Sequence, residues 1–139
     1  MDMSQINWLA VLVATIVAFV LGGVWYSPAL FGNAWMKENG FTDEQLKKRN
    51  MGKVFGLSFI WTLIMAINLA CFLATPETEI TWGATAGFLA GFGWIAMGIF
   101  VIGLFENKSA RYMLINAGYM VVALVLMGVV LGAWRVASI

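Results

Sequence analysis

Histidine is missing altogether from this chain, cysteine occurs once, proline twice, and charged side chains make up only 11% of its 139 residues. Each scarcity removes a class of function. Without an imidazole, the commonest acid–base catalyst and metal ligand is gone. The single cysteine, Cys71, builds neither a disulfide framework nor a cysteine-rich metal site within one chain. No metal or other cofactor is therefore expected. Eight Lys and Arg against seven Asp and Glu leave a net charge of +1, too small a field to draw in nucleic acid. The first residues, Met1-Asp2-Met3-Ser4-Gln5, lack the basic start of a signal peptide, so the first helix is expected to remain in the mature protein.

What the chain has in abundance is apolar surface, 62% of residues and a mean hydropathy of +0.88. A soluble core of this size cannot absorb so much of it. Four nearly uncharged runs exceed the roughly 18 residues that cross a hydrocarbon layer. They predict an all-α polytopic membrane protein, one domain over 1–139, with transmembrane helices at about 6–26, 51–74, 82–105 and 110–134 packed as a four-helix bundle. The connection at about 28–50 is mixed in polarity and reads as a short amphipathic helix at the interface.

Small residues recur at spacing four along these helices: Ala10, Ala14, Ala18 and Gly22 in the first, Gly83, Gly87 and Gly91 in the third, Gly128 and Gly132 in the fourth. Such rows share one helix face and let a neighbouring backbone approach. The first row runs into Trp25-Tyr26-Ser27-Pro28, the most distinctive motif in the chain. Trp25 and Tyr26 suit the aromatic belt at a membrane interface. Ser27-Pro28 has the pattern of an N-cap with proline at the first helical position, pointing toward Trp35. Thr42 and Gln45 have capping-box spacing, Asn39-Gly40 is a helix stop, and Thr81 and Ser109 are expected caps of the third and fourth helices.

Lys37, Lys47, Lys48, Arg49 and Lys53 lie in the first connection, Lys108 and Arg111 in the third, and Arg135 alone near the other helix ends. The asymmetry predicts a cell (cytoplasmic or inner) membrane location with the first and third connections in the cytoplasm and both termini outside. Lys47, Lys48, Arg49 and Lys53 also suit anionic lipid headgroups, at about 1 kcal/mol per charge; membrane lipids are the expected partners. No charge falls near a helix middle, which argues against proton-coupled transport and intramembrane hydrolysis. Glu106 and Arg111 are placed for an ion pair across the last turn. Trp61, Trp94 and Tyr119 fall at similar predicted depth, where with Asn68 and Asn116 they could line a small ligand cavity.

With these residues in view, the chain resembles the family of small bacterial and fungal membrane proteins known as domain of unknown function 1761. The likeness rests on Ile6-Asn7-Trp8, the block from Leu21 to Pro28 with Leu30-Phe31-Gly32 and Trp35, Leu104-Phe105-Glu106, and Ile115-Asn116-Ala117-Gly118-Tyr119 with Gly128. The resemblance implies a small integral membrane protein and supplies no activity or catalytic residue. Where relatives carry His after the Gly-Tyr pair, this chain has Met120, so a role built on that imidazole does not carry over. The expectation is a non-enzymatic protein acting through helix contacts, as a homo-oligomer or an accessory subunit. The alternative is a small transporter or channel for an apolar or cationic solute or a lipid.

Overall fold

The computed structural model describes residues 2–135; the ends of the expected 1–139 domain, Met1 and 136–139, lie outside them. The described residues are 79% helix, with no strand among them. After a 3₁₀ turn at Met3–Gln5 come α1 (Trp8–Trp25), α2 (Gly32–Asn39), α3 (Asp43–Lys47), α4 (Met51–Phe72), α5 (Ile80–Phe105) and α6 (Ala110–Ala133). α1, α4, α5 and α6 are each long and apolar enough to cross a membrane, and α2 and α3 form the short amphipathic connection between the first two. Within α5, Gly91–Ala96 are wound as a π-helix.

Local chemistry sets most of the boundaries. The Asn7 side chain accepts from the Leu9 and Ala10 amides and starts α1. Gly40, at φ 68°, takes the left-handed conformation that ends α2. Thr42 and Gln45 exchange both bonds of a capping box ahead of α3. Asn50 caps α4, and the Ser109 hydroxyl accepts from the Tyr112 amide to cap α6. Two expected caps are corrected. α5 begins at Ile80 after Glu79, with no side-chain cap bond, so Thr81 is already inside it. Ser27 caps no following helix. Its hydroxyl instead donates backward to the Val24 carbonyl at 2.7 Å, and residues 26–31 form turns before α2 starts at Gly32.

α6 is the centre of the fold. It packs along α5 over most of its length and against α1 on another side, while α4 leans chiefly on α1. The spatial order is thus α4, α1, α6, α5, and the two outer helices barely meet. Glycines explain the intimacy of α5 and α6. A Cβ on Gly83 would overlap the Gly128 carbonyl oxygen, one on Gly128 would overlap that of Gly83, and one on Gly87 would overlap that of Leu124. Gly132 repeats this 2.6 Å from the Glu79 oxygen, and Gly91 meets the Val121 Cα. In α1 the row Ala10, Ala14 and Ala18 is fully buried in the core with Met127 of α6. Thr15, also buried, turns its hydroxyl to the Val11 carbonyl, which keeps a polar atom satisfied inside an apolar layer. The loop-end tie is made by Arg135, donating to the Thr75 carbonyl at 2.8 Å, and by Asn7, donating to the Trp134 carbonyl at 3.3 Å.

Candidate functional site

The Trp25-Tyr26 pair does more than mark an interface. The Trp25 indole N–H donates to the Ile115 carbonyl of α6 at 3.0 Å, and the Tyr26 hydroxyl donates to Asn116 Oδ1 at 2.6 Å. These are bonds to a neighbouring helix, where headgroup anchoring was the expectation. The reason is the close approach of α1 to α6: Trp25 packs on the open face of Gly118, and Gly22 lies 3.0 Å from the Tyr119 hydroxyl when given a Cβ. Tyr119 in turn donates to the Ala18 carbonyl at 3.1 Å. Burial pushes the Tyr26 phenol above its ordinary value, so it stays a protonated donor through the neutral range.

From this anchor an aromatic chain runs outward. Tyr26 meets Tyr119 edge to face at 5.5 Å and Trp35 at 5.7 Å, and Trp35 meets Phe41 at 5.4 Å. The Arg49 guanidinium lies over Trp35 at 5.9 Å and over Phe41 at 5.7 Å, within the reach of cation–π attraction. Below these groups is a cavity of about 510 Å³ between the amphipathic segment and the ends of α5 and α6. Tyr112, Asn116 and Met120 of α6, Ile99 and Ile102 of α5, Glu106 just past the end of α5, and Asn39 of α2 complete its walls. Ser109 donates to the Glu38 carboxylate at 2.5 Å, fastening α2 to the start of α6.

A second concavity of about 630 Å³ opens where α4 and α5 fail to meet. Ile64, Asn68 and Phe72 form one wall, Trp82, Ala86 and Trp94 the other, and Leu69 and Leu124 lie within it. Its lining is almost wholly apolar. Trp94, 72% exposed, projects from the π-helical stretch, where the altered winding re-aims side chains relative to a regular helix.

The five residues expected to share one cavity are divided between these two spaces. Asn68 and Trp94 line the α4–α5 groove, Asn116 and Tyr119 line the cavity at the amphipathic end, and Trp61, 61% exposed, lines neither. Similar depth does not imply a shared face, and Tyr119 is turned toward α1. Lys47, Lys48, Arg49 and Lys53 are all exposed, and of these four Arg49 lies over aromatic rings. Glu106 and Arg111 form no ion pair among the described residues; the nearby Lys108 ammonium instead lies over the Tyr112 ring at 5.2 Å. No cluster of three or more metal-ligating His, Cys, Asp or Glu side chains occurs among the described residues. The Arg49 site escaped sequence reasoning. Its signal was Trp35 and Phe41 flanking the Asn39-Gly40 stop, a reversal that puts both rings on one side.

The model of a protein family of unknown function, DUF1761, matches residues 9–132. The chain belongs to that family. The match runs from the first turn of α1 almost to the end of α6, so the residues lining both concavities fall within the region matched to DUF1761. No curated protein and no solved structure matches the chain.

Proposed function

We propose that this DUF1761 protein is a non-enzymatic component of the cell membrane that works through helix contacts, with a second copy docking into the groove between α4 and α5. Asn68 carries the reading. Its carboxamide lines an apolar groove of a membrane-spanning helix, is exposed, and has no side-chain hydrogen bond among the described residues. A polar group facing lipid is unfavourable, whereas across a helix pair it is worth roughly 0.6 to 2 kcal/mol. A carboxamide both donates and accepts, so two copies related by a twofold axis satisfy each other. Ala86 and Ala90 on the facing wall leave room for a second backbone. The amphipathic end lies in the cytoplasm and both termini outside, an orientation supported by the grouping of Lys and Arg.

The sole cysteine makes the test clean. In a Cys71→Ala background that keeps Asn68, Phe72→Cys, one turn further along the same groove wall and exposed, should give a disulfide-linked dimer on mild oxidation in native membranes. Leu9→Cys, on the exposed face of α1 at the same end of the molecule, should not. Monomer alone from the first, or equal cross-linking from both, defeats the proposal. A transporter or channel for an apolar or cationic solute or lipid is the rival; it predicts solute flux in proteoliposomes, which helix docking does not produce.

A further inference from the structure

The cavity at the amphipathic end holds two opposite charges that the protein itself does not use. Arg49 and Glu106 both line it, yet among the described residues neither forms an ion pair or a side-chain hydrogen bond. The ring faces of Trp35 and Phe41 engage the Arg49 cation, but a guanidinium carries its N–H donors in its own plane. Stacking therefore orients the fork and leaves its edge free.

The two amides are half-used in a complementary way. Asn116 Oδ1 is taken by the Tyr26 hydroxyl, which leaves its N–H₂ to donate. Asn39 uses its N–H₂ on the Trp35 carbonyl at 2.8 Å, which leaves its oxygen to accept. The lining thus presents free donors for an anion beside free acceptors and aromatic faces for a cation. At about 510 Å³ the space falls in the range of roughly 300–1,000 Å³ typical of small-molecule sites. Its α5 wall includes Ile102, 60% exposed on the membrane-facing surface, so an occupant with apolar tails reaches the hydrocarbon without leaving the site.

We propose that this cavity binds the headgroup of one zwitterionic glycerophospholipid, its phosphate on the Arg49 edge and its ammonium on Glu106 among the Tyr26, Trp35 and Tyr112 rings. A purely anionic headgroup leaves Glu106 facing like charge, and a purely cationic ligand meets Arg49. Only a molecule carrying both charges satisfies both walls. The site is independent of docking at the α4–α5 groove and stands whether or not that docking occurs.

Native mass spectrometry of the full-length protein, offered equimolar phosphatidylethanolamine and phosphatidylglycerol, tests this. The wild type should retain the zwitterionic lipid about fivefold over the anionic one, and Arg49→Gln should lower that retention about tenfold, the scale of a charge-assisted hydrogen bond. Glu106→Gln, at an exposed helix end, should erase the preference while phospholipid still binds. That variant decides the matter if Arg49→Gln fails to fold. Lys47→Gln should change nothing. The proposal is overturned if the wild type shows no preference, if Lys47→Gln lowers retention as much as Arg49→Gln, or if Glu106→Gln keeps the preference intact. Soluble phosphoethanolamine is the remaining arm: competition as strong as that of the lipid overturns a lipid occupant, and weak competition supports it.

Discussion

Replacing Gly83 by alanine forces apart the two most closely packed helices. The added Cβ would overlap the Gly128 carbonyl oxygen and its carbon and press on the Gly132 Cα, all backbone atoms that cannot rotate away. α5 and α6 must separate, and the adjoining contacts at Gly87 and Gly132 loosen with them. Overpacking of this kind costs about 1–3 kcal/mol, against which the better helix propensity of alanine returns about 1 kcal/mol. Because the overlap is with fixed backbone, the upper end of that range applies and the net expectation is a loss of about 2 kcal/mol, with more for the double variant Gly83→Ala/Gly128→Ala. Gly56→Ala is the internal control, because a Cβ there has nothing within 4 Å; it should be neutral or stabilising by up to about 1 kcal/mol. Equilibrium unfolding of the purified protein in mixed micelles, followed by far-UV circular dichroism, measures both. If Gly83→Ala matched the wild type, or Gly56→Ala proved the more damaging, glycine contact between α5 and α6 would not be what holds them.

Three further outcomes are expected. Trp25→Phe removes the donor to the Ile115 carbonyl and should cost about 1 kcal/mol in the same unfolding assay. Ser109→Ala removes both the α6 cap and the bond to Glu38; it should cost about 1 kcal/mol and increase proteolysis of the α2–α3 segment. Tyr26 sets a pH dependence: its folded pKa is raised above the ordinary 10.0 by burial, so its contribution is fully present below pH 10.0 and is lost as pH rises beyond it. Stability measured above pH 10 should therefore fall more steeply in the wild type than in Tyr26→Phe, and identical slopes would sink that assignment.

The membrane class and the four spans were legible because hydropathy acts over whole helices, and Asn39-Gly40, Thr42-Gln45 and Ser109 were legible because caps are local chemistry. Ser27-Pro28 misled for the same reason. Its dipeptide fits a helix start, but the Ser27 hydroxyl has the Val24 carbonyl within reach and closes the helix behind it. The order α4, α1, α6, α5 is not written in any one helix, since glycine rows say that a backbone approaches without saying whose. That order separates Trp94 from Tyr119 and opens the groove at Asn68. The site around Arg49 depends on a chain reversal at Gly40 and on Tyr26 bonding to a residue 90 positions away, and such long-range pairings carry no periodic signature in the sequence.

The docking of two copies through Asn68 is tested most directly by counting protein copies in small lipid nanodiscs, by mass or by single-molecule photobleaching, for the wild type and Asn68→Leu. Helix docking through this amide predicts two copies for the wild type and one for a folded Asn68→Leu. A monomeric wild type, or a variant that remains dimeric, contradicts it.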